Sequence, residues 1–317
     1  DGVLPATRLA RDPGQSPLTT AGDNRQQALL AAMPWVFVAV WSTGFVVARL
    51  AMPHAPPLSF LTWRYAFSLL AFGLWIRAAG VAWPQDRAQW WHLSVSGVLM
   101  HAGYLGGVWA AVRAGMPAGT SALIVGLQPL LTAMWVSGRG HQAVGGQQWL
   151  GLLLGLGGLT LVVWPKVGLG EVTGFNLALA VFALLSITAG TLYQKRHVLP
   201  ADVRTGNFVQ IAAALVVTAP LAWFETGQVH WHMDLAVALA WSVLGLSLGG
   251  SSLLMMLIQR GAATRVTSLL YLVPPCTALL AWVLFGERMA PSGWAGMALC
   301  AIGVGLVLRG GSGAPAR

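Results

Sequence analysis

The sequence predicts an all-α integral membrane protein: ten transmembrane helices arranged as two five-helix repeats of inverted topology. Three observations predict it. First, nine stretches free of Asp, Glu, Lys and Arg cover 26–48, 88–112, 114–138, 140–165, 172–194, 205–224, 235–259, 266–286 and 289–308. Each is 20 to 26 residues long, and a spanning helix needs about 20. A tenth span, 57–76, is interrupted only by Arg64. Second, many of the 16 tryptophans fall where spans should meet headgroups: Trp83, Trp90, Trp91, Trp149, Trp164, Trp223, Trp231 and Trp294. Indole favours that boundary because one end is apolar and the other can hydrogen-bond. Third, the two halves of the chain are weakly alike, and five spans per half is an odd number.

Composition excludes other classes. The chain has 317 residues, 56% of them hydrophobic and 9% charged, too apolar for an ordinary soluble domain. The net charge of +9 is a topology signal. With the N-terminus inside, Arg8, Arg11, Arg25, Arg77, Arg87, Arg139, Lys195, Arg196, Arg204, Arg260, Arg265, Arg309 and Arg317 face the cytoplasm. Only Arg49, Arg113, Lys166 and Arg288 face the other side. Lys and Arg retained in cytoplasmic loops set orientation, so N-in, C-in is expected. The basic surface then meets anionic lipid rather than nucleic acid. Cys276 and Cys300 lie inside spans and form no disulfide framework. The organisation read from this is a flexible tail at 1–27, repeats at 28–165 and 166–309, and a second tail at 310–317. No signal peptide is expected, because the first apolar run starts late and is long enough to span.

The likeness of the halves appears at a shift of 146. "VRAG" at 112–115 falls on "IQRG" at 258–261, Ser121 on Thr267, Leu123 on Leu269 and Pro129 on Pro275. One residue later in the frame, Trp149 meets Trp294, Gly151 meets Gly296 and Gly158 meets Gly303. The earlier spans align only by length and spacing. An odd number of spans forces the second unit in with opposite orientation, as in carriers with inverted repeats. Gln128–Pro129 and Pro274–Pro275 break the same mid-span place in each half. Proline removes an amide donor, and a freed carbonyl in hydrocarbon needs a cavity or another donor. Cavity lining and a packing kink both fit.

Several polar residues interrupt the spans. Arg64 lies about 10 Å into the second span, where it either meets substrate or an ion-pair partner or snorkels to headgroups. His101 sits near the centre of the third span, with Tyr104 and Trp109 near one face. Trp41, Ser42 and Thr43 mark the first span, Thr188 and Tyr193 the sixth, Trp241, Ser247, Ser251 and Ser252 the eighth, and Tyr271 the ninth. Aromatic walls with a few hydroxyls suit a mostly apolar solute, and the same residues also serve as ordinary packing. The expected substrate site is Trp41, Ser42, Thr43, His101, Tyr104, Gln128, Thr188, Tyr193, Trp241, Ser251, Tyr271 and Pro274. Gly151, Gly155 and Gly158 in the fifth span, and Gly296, Cys300 and Gly303 in the tenth, form small-residue faces for close helix contact, within the chain or in a homodimer. "GLSLGGSS" at 245–252 reads as a hinge. His230 and His232 are a weak metal signal. No cofactor, metal or catalytic set is expected.

"WSTGFVVARLAM", "PPLSFLTWRYAFSLLAF" and "LFGERMAPSGWAGMALCAIGVGLVL" resemble the drug/metabolite transporter superfamily, and within it the ten-span branch of paired EamA-type repeats. The resemblance covers about residues 30–309 and implies export or exchange of small metabolites, often amino acids, across a bacterial inner membrane. It also implies a central cavity between the halves. Arg64 matches the family's arginine early in the second span, and Glu287 matches the glutamate closing the ninth. Thr43–Gly44–Phe45 departs from the family's first-span pattern, and His141 stands in the first half where Glu287 stands in the second. The expected function is a secondary carrier for amino acids, aromatic or apolar ones favoured. An uncoupled channel and an integral-membrane enzyme are the rivals.

Overall fold

A computed structural model of the chain describes residues 21–138, 146–259, 272–287 and 290–311. Among them every regular element is helical. In order these are α1 (Ala21–Ala51), α2 (Pro57–Ala79), α3 (Arg87–Gly97), a π-helix π1 (Val98–Gly103), α4 (Tyr104–Arg113), α5 (Ala118–Val125), α6 (Gln128–Gly138), α7 (Gly146–Gly168) and α8 (Gly174–His197). They continue with α9 (Val203–Ala222), α10 (Met233–Trp241), a second π-helix π2 (Ser242–Gly250), α11 (Ser251–Gln259), α12 (Val273–Phe285) and α13 (Pro291–Gly311). Five continuous helical stretches are long and apolar enough to cross a membrane: 87–113, 149–167, 174–197, 203–222 and 233–254. Shorter apolar helices cover 35–51, 118–132, 273–285 and 291–306.

The outer surface is what lipid requires. Leu153, Leu156, Val216, Leu244 and Val283 are all exposed, a girdle that water would not tolerate. The eight boundary tryptophans are exposed too, each within five residues of a helix end. The core is filled instead by Phe37, Phe60, Leu61, Tyr65, Phe72 and Trp109, with Trp109 stacked on Phe60 at 4.4 Å.

Loop contacts sort the bundle into two ends. At the upper end, Glu225 accepts the amides of Leu58 and Ser59, both at 2.8 Å, and the Ser59 hydroxyl at 2.9 Å. Here a distant carboxylate caps α2. Pro56 at the N-cap offers no side-chain acceptor, and a helix start leaves its first amides without partners. Glu225→Ala is expected to lower stability by about 1–2 kcal/mol, read as a fall in Tm with faster amide exchange at 58–60. At the lower end, Gln89 donates to the Leu199 carbonyl at 2.8 Å and accepts its amide at 3.0 Å. Arg204 lies 5.5 Å over the Trp75 ring.

Helices 145 or 146 residues apart pair with one another and run antiparallel. The start of α2 lies beside the end of α9, and the end of α2 beside the start of α9. In α7 and α13, Gly158 meets the Gly296 backbone and Gly151 meets Gly303. A Cβ on Gly158 would stand 2.4 Å from the Gly296 carbonyl oxygen, and one on Gly303 would stand 2.5 Å from that of Gly151. The glycine faces are therefore consumed inside the chain. The offset recurs in helix starts, with Val203 of α9 146 residues after Pro57 of α2 and Met233 of α10 146 after Arg87 of α3.

The mid-span breaks have a simple local cause. The fourth span stops at Val125, turns through Gly126–Leu127 and restarts at Gln128. Pro129 then occupies the first turn of α6, where a missing amide costs nothing. Pro274 and Pro275 sit likewise in the first turn of α12. The two breaks touch: a Cβ on Gly126 would lie 2.9 Å from Pro274 Cγ. A groove of about 250 Å³ lies against both, lined by Leu123, Gly126, Leu127, Pro274, Pro275 and Met297 among others. Among the described residues, its lining is apolar and carries no charged side chain.

Candidate functional site

Arg64 is the chemical centre of the bundle. It stands two turns into α2 and is 6% exposed, so it does not snorkel. Its Nε donates to Ser247 Oγ at 3.3 Å, across to π2. Tyr65, Tyr104 and His101 are its electrostatic neighbours. Tyr65 is fully buried, donates its hydroxyl to the His101 carbonyl at 2.9 Å and meets the His101 ring edge-on at 6.2 Å. Among the described residues no carboxylate pairs with Arg64. A buried charge with one neutral hydrogen bond is costly, and the cost falls when an anion arrives. Buried hydroxyls of Ser68, Ser242 and Ser252 also have no hydrogen-bond partner among the described residues. Ser68 lies one turn from Arg64, and Ser242 and Ser252 flank or begin the π2 region.

The same arrangement occurs twice. Gln210 stands 146 residues after Arg64, and Ser247 stands 146 after His101. Arg64 of α2 reaches Ser247 of π2, and Gln210 of α9 reaches the His101 ring of π1. π-Helices cluster at functional sites because the wider turn re-aims side chains and loosens the hydrogen-bond ladder. Here each π-turn carries the residue that meets the other half.

From this centre a polar string runs to the lower end. Gln210 donates to Ser96 and to Gln194, both at 3.4 Å. Ser96 donates to Gln194 at 3.0 Å. His92 Nδ1 then lies 2.8 Å from the Tyr193 hydroxyl, and His92 and His197 stack at 5.1 Å. His92 is about 13 Å along the helix from His101.

The expected site residues divide accordingly. His101 and Tyr104 stand at the centre with Arg64. Tyr193 belongs to the lower cluster. Gln128 donates to Thr191 Oγ1 at 2.6 Å, joining α6 to α8. Ser42 bonds the Val38 carbonyl and Thr188 the Leu184 carbonyl of their own helices. Trp41 packs on Phe37 at 5.1 Å. Trp241, 42% exposed, donates to Thr43 Oγ1 at 2.7 Å. Ser251 bonds the Leu246 carbonyl five residues back, closing π2. Pro274 packs on Gly126. Tyr271 lies outside the described residues. Sequence reasoning missed Tyr65, Ser96, Gln194 and Gln210. The 146-residue offset from Arg64 was a signal for Gln210.

The model of the EamA-like transporter family matches the chain twice, at 28–164 and again at 174–309. The chain belongs to this family. It is similar to an uncharacterized transporter, sll0355, of Synechocystis, 26% identical over 84% of this chain and 86% of the relative. It is also similar to an uncharacterized inner membrane transporter, YedA, of Escherichia coli K12, 24% identical over 86% and 88%. A probable amino-acid metabolite efflux pump of Salmonella typhimurium is 24% identical over 89% and 94%. A solved crystal structure shares the fold, with a TM-score of 0.61 at 17% identity over 86% of this chain and 94% of that one.

In this EamA-like chain, Glu287 closes the upper end. Its carboxylate pairs with Arg49 Nε at 3.3 Å, linking the loop after α12 to the end of α1. Burial pushes the Glu287 carboxyl above the usual carboxylate range, and Arg49 and Lys166 only partly counter it. Burial wins because the Arg49 side chain is 43% exposed and screened by water. Folding therefore shifts Glu287 toward its protonated form relative to a free carboxyl. Its contribution to stability is full below the unfolded carboxyl's pKa of about 4.3 and is lost as pH rises through the raised folded value. Glu287→Gln is expected to remove that loss. Tm followed from about pH 4 to about pH 8 should fall less in the variant than in the parent.

Proposed function

We propose that the protein is a secondary transporter that exports or exchanges amino acids, apolar and aromatic ones favoured, across a bacterial inner membrane. Two five-helix units of inverted topology, α1–α7 and α8–α13, enclose one site at mid-membrane. The observation that carries the reading is Arg64, a buried guanidinium without an acidic partner among the described residues, held between the two units by Ser247. It would take the substrate carboxylate by a charge-assisted, two-pronged contact. Tyr65, Tyr104 and His101 form its surroundings, and Ser68, Ser242 and Ser252 offer hydroxyls for an ammonium or amide group.

Antiparallel pairing of α2 with α9 and of α7 with α13 supports inversion. So does the exchange of contacts, Arg64–Ser247 and Gln210–His101, between positions related by the same offset. Such symmetry provides two related packings, one open to each side. The skew of Lys and Arg supports N-in, C-in. The string from Gln210 to His92 then leads to the cytoplasm and offers a polar approach to Arg64. The relative named a probable amino-acid metabolite efflux pump agrees with this substrate class.

The test is counterflow in proteoliposomes with a panel of radiolabelled amino acids. Uptake that saturates and is accelerated by unlabelled solute on the far side is expected for at least one apolar or aromatic member. Flux that neither saturates nor shows counterflow means a channel or no transport, and the reading fails.

A further inference from the structure

We propose that His54, His232 and Asp234 form a site for a divalent transition-metal ion of the Zn²⁺ class at the upper end of the bundle, tying the α1–α2 loop to the start of α10. His232 Nδ1 lies 3.4 Å from Asp234 Oδ2, and His54 Nε2 lies 3.7 Å from the same carboxylate. All three ligand atoms fall within 4.8 Å of one another. Tetrahedral Zn²⁺ with bonds of about 2.0–2.1 Å spaces its ligands about 3.3 Å apart, so small side-chain shifts bring the three together. Two imidazoles with one carboxylate are a borderline-soft donor set that favours Zn²⁺, Ni²⁺ or Co²⁺ over Mg²⁺ or Ca²⁺. The His54 and His232 rings lie nearly parallel, 4.7 Å apart and 10° between planes, and His54 Nε2 and His232 Nδ1 both approach Asp234 Oδ2.

The frame around these residues is already built. The His230 amide donates to the His54 carbonyl at 2.8 Å. Glu225 holds Leu58 and Ser59, and Trp231 meets Trp63 edge-on at 5.9 Å. The loops carrying the ligands are therefore fixed to each other without an ion, and binding orders only three side chains. His232 Nδ1 now accepts the Asp234 amide at 3.2 Å as the N-cap of α10. Metal binding exchanges that hydrogen bond for a coordinate bond. Asp234 and His232 are about half exposed, leaving room for water at the remaining position, as in open zinc sites.

This inference does not rest on the transport reading. It is tested on tag-free full-length protein in lipid nanodiscs, with ZnCl₂ and CoCl₂ as the probes. One equivalent of saturable Zn²⁺ binding is expected, with a rise in Tm and visible d–d absorption from bound Co²⁺. His54→Gln and Asp234→Asn should each weaken binding at least about tenfold, while Tm without metal stays near that of the parent. The double variant H92Q/H197Q removes the other histidine cluster and should bind as the parent does. Absence of binding in the parent overturns the proposal. So does binding that survives unchanged in both His54→Gln and Asp234→Asn, or that is lost in H92Q/H197Q.

Discussion

Arg64→Met is expected to reduce amino-acid counterflow about a hundredfold or more while leaving the protein at least as stable as the parent. The two effects have one cause. The guanidinium is buried against Ser247 with no carboxylate beside it among the described residues. Replacing an uncompensated buried charge by an apolar side chain of similar volume is neutral or stabilising by about 1–4 kcal/mol. Removing the partner of a bound carboxylate costs about 2–5 kcal/mol of binding, and each 1.4 kcal/mol is about tenfold. A purely structural arginine would behave in the opposite way, with Tm falling and counterflow falling only with the amount of folded protein. Arg64→Lys separates charge from shape. A point charge on a flexible stem cannot reproduce a planar two-pronged contact, so it should restore only part of the lost transport. The measurement is counterflow at equal reconstituted protein, set beside Tm for each variant.

Gly158→Val is expected to cost about 3 kcal/mol or more and to separate α7 from α13. The first added carbon alone would sit 2.4 Å from the Gly296 carbonyl oxygen and 2.8 Å from Cys300. Backbone cannot yield as a flexible side chain can, and overpacking of this kind costs about 1–3 kcal/mol or more. Loss of close approach also removes the van der Waals contact that holds helices together in lipid. Gly157 is the internal control. A Cβ there meets nothing within 4 Å, so Gly157→Ala should leave Tm unchanged or slightly raised. Equal Tm values for Gly158→Val and the parent would mean that α7 and α13 do not pack as described.

Much of the fold is legible in the sequence because lipid imposes a severe rule. A span must be apolar for about 20 residues and must satisfy its own backbone, so gaps between charges delimit helices well. The glycine faces were legible for a similar reason: contact at backbone distance tolerates no Cβ. What eluded the sequence was which helix each face meets. Gly151 and Gly296 read equally well as a seam within the chain or between monomers, and only the antiparallel packing of α7 on α13 uses them internally.

The centre was less legible. Arg64 and His101 stand out because charge and imidazole are rare in apolar spans. Gln210 does not, because an amide in a span is unremarkable until its offset from Arg64 is noticed. The glycine run at 245–252 reads as a hinge, and the structure puts 245–250 in π2 and Ser251–Ser252 at the start of α11. Nothing in "VLMHAG" announces π1, where Tyr65 bonds the His101 carbonyl and Ser186 sits against Gly103. Hydroxyls such as Ser42 and Thr188 were ambiguous for a physical reason. They bond their own helix as readily as a solute, and in the structure they do.

Inversion of the two units, as proposed, requires equivalent positions to face opposite sides of the bilayer. Gln85 and Trp231 are such a pair, 146 residues apart in loops at the lower and upper ends. Single cysteines placed there, with Cys276 and Cys300 replaced by Ala, can be labelled in oriented vesicles by a membrane-impermeant maleimide. With inverted units, Gln85→Cys is expected to react only from the cytoplasmic face and Trp231→Cys only from the opposite face. Reaction of both from the same side would contradict inversion.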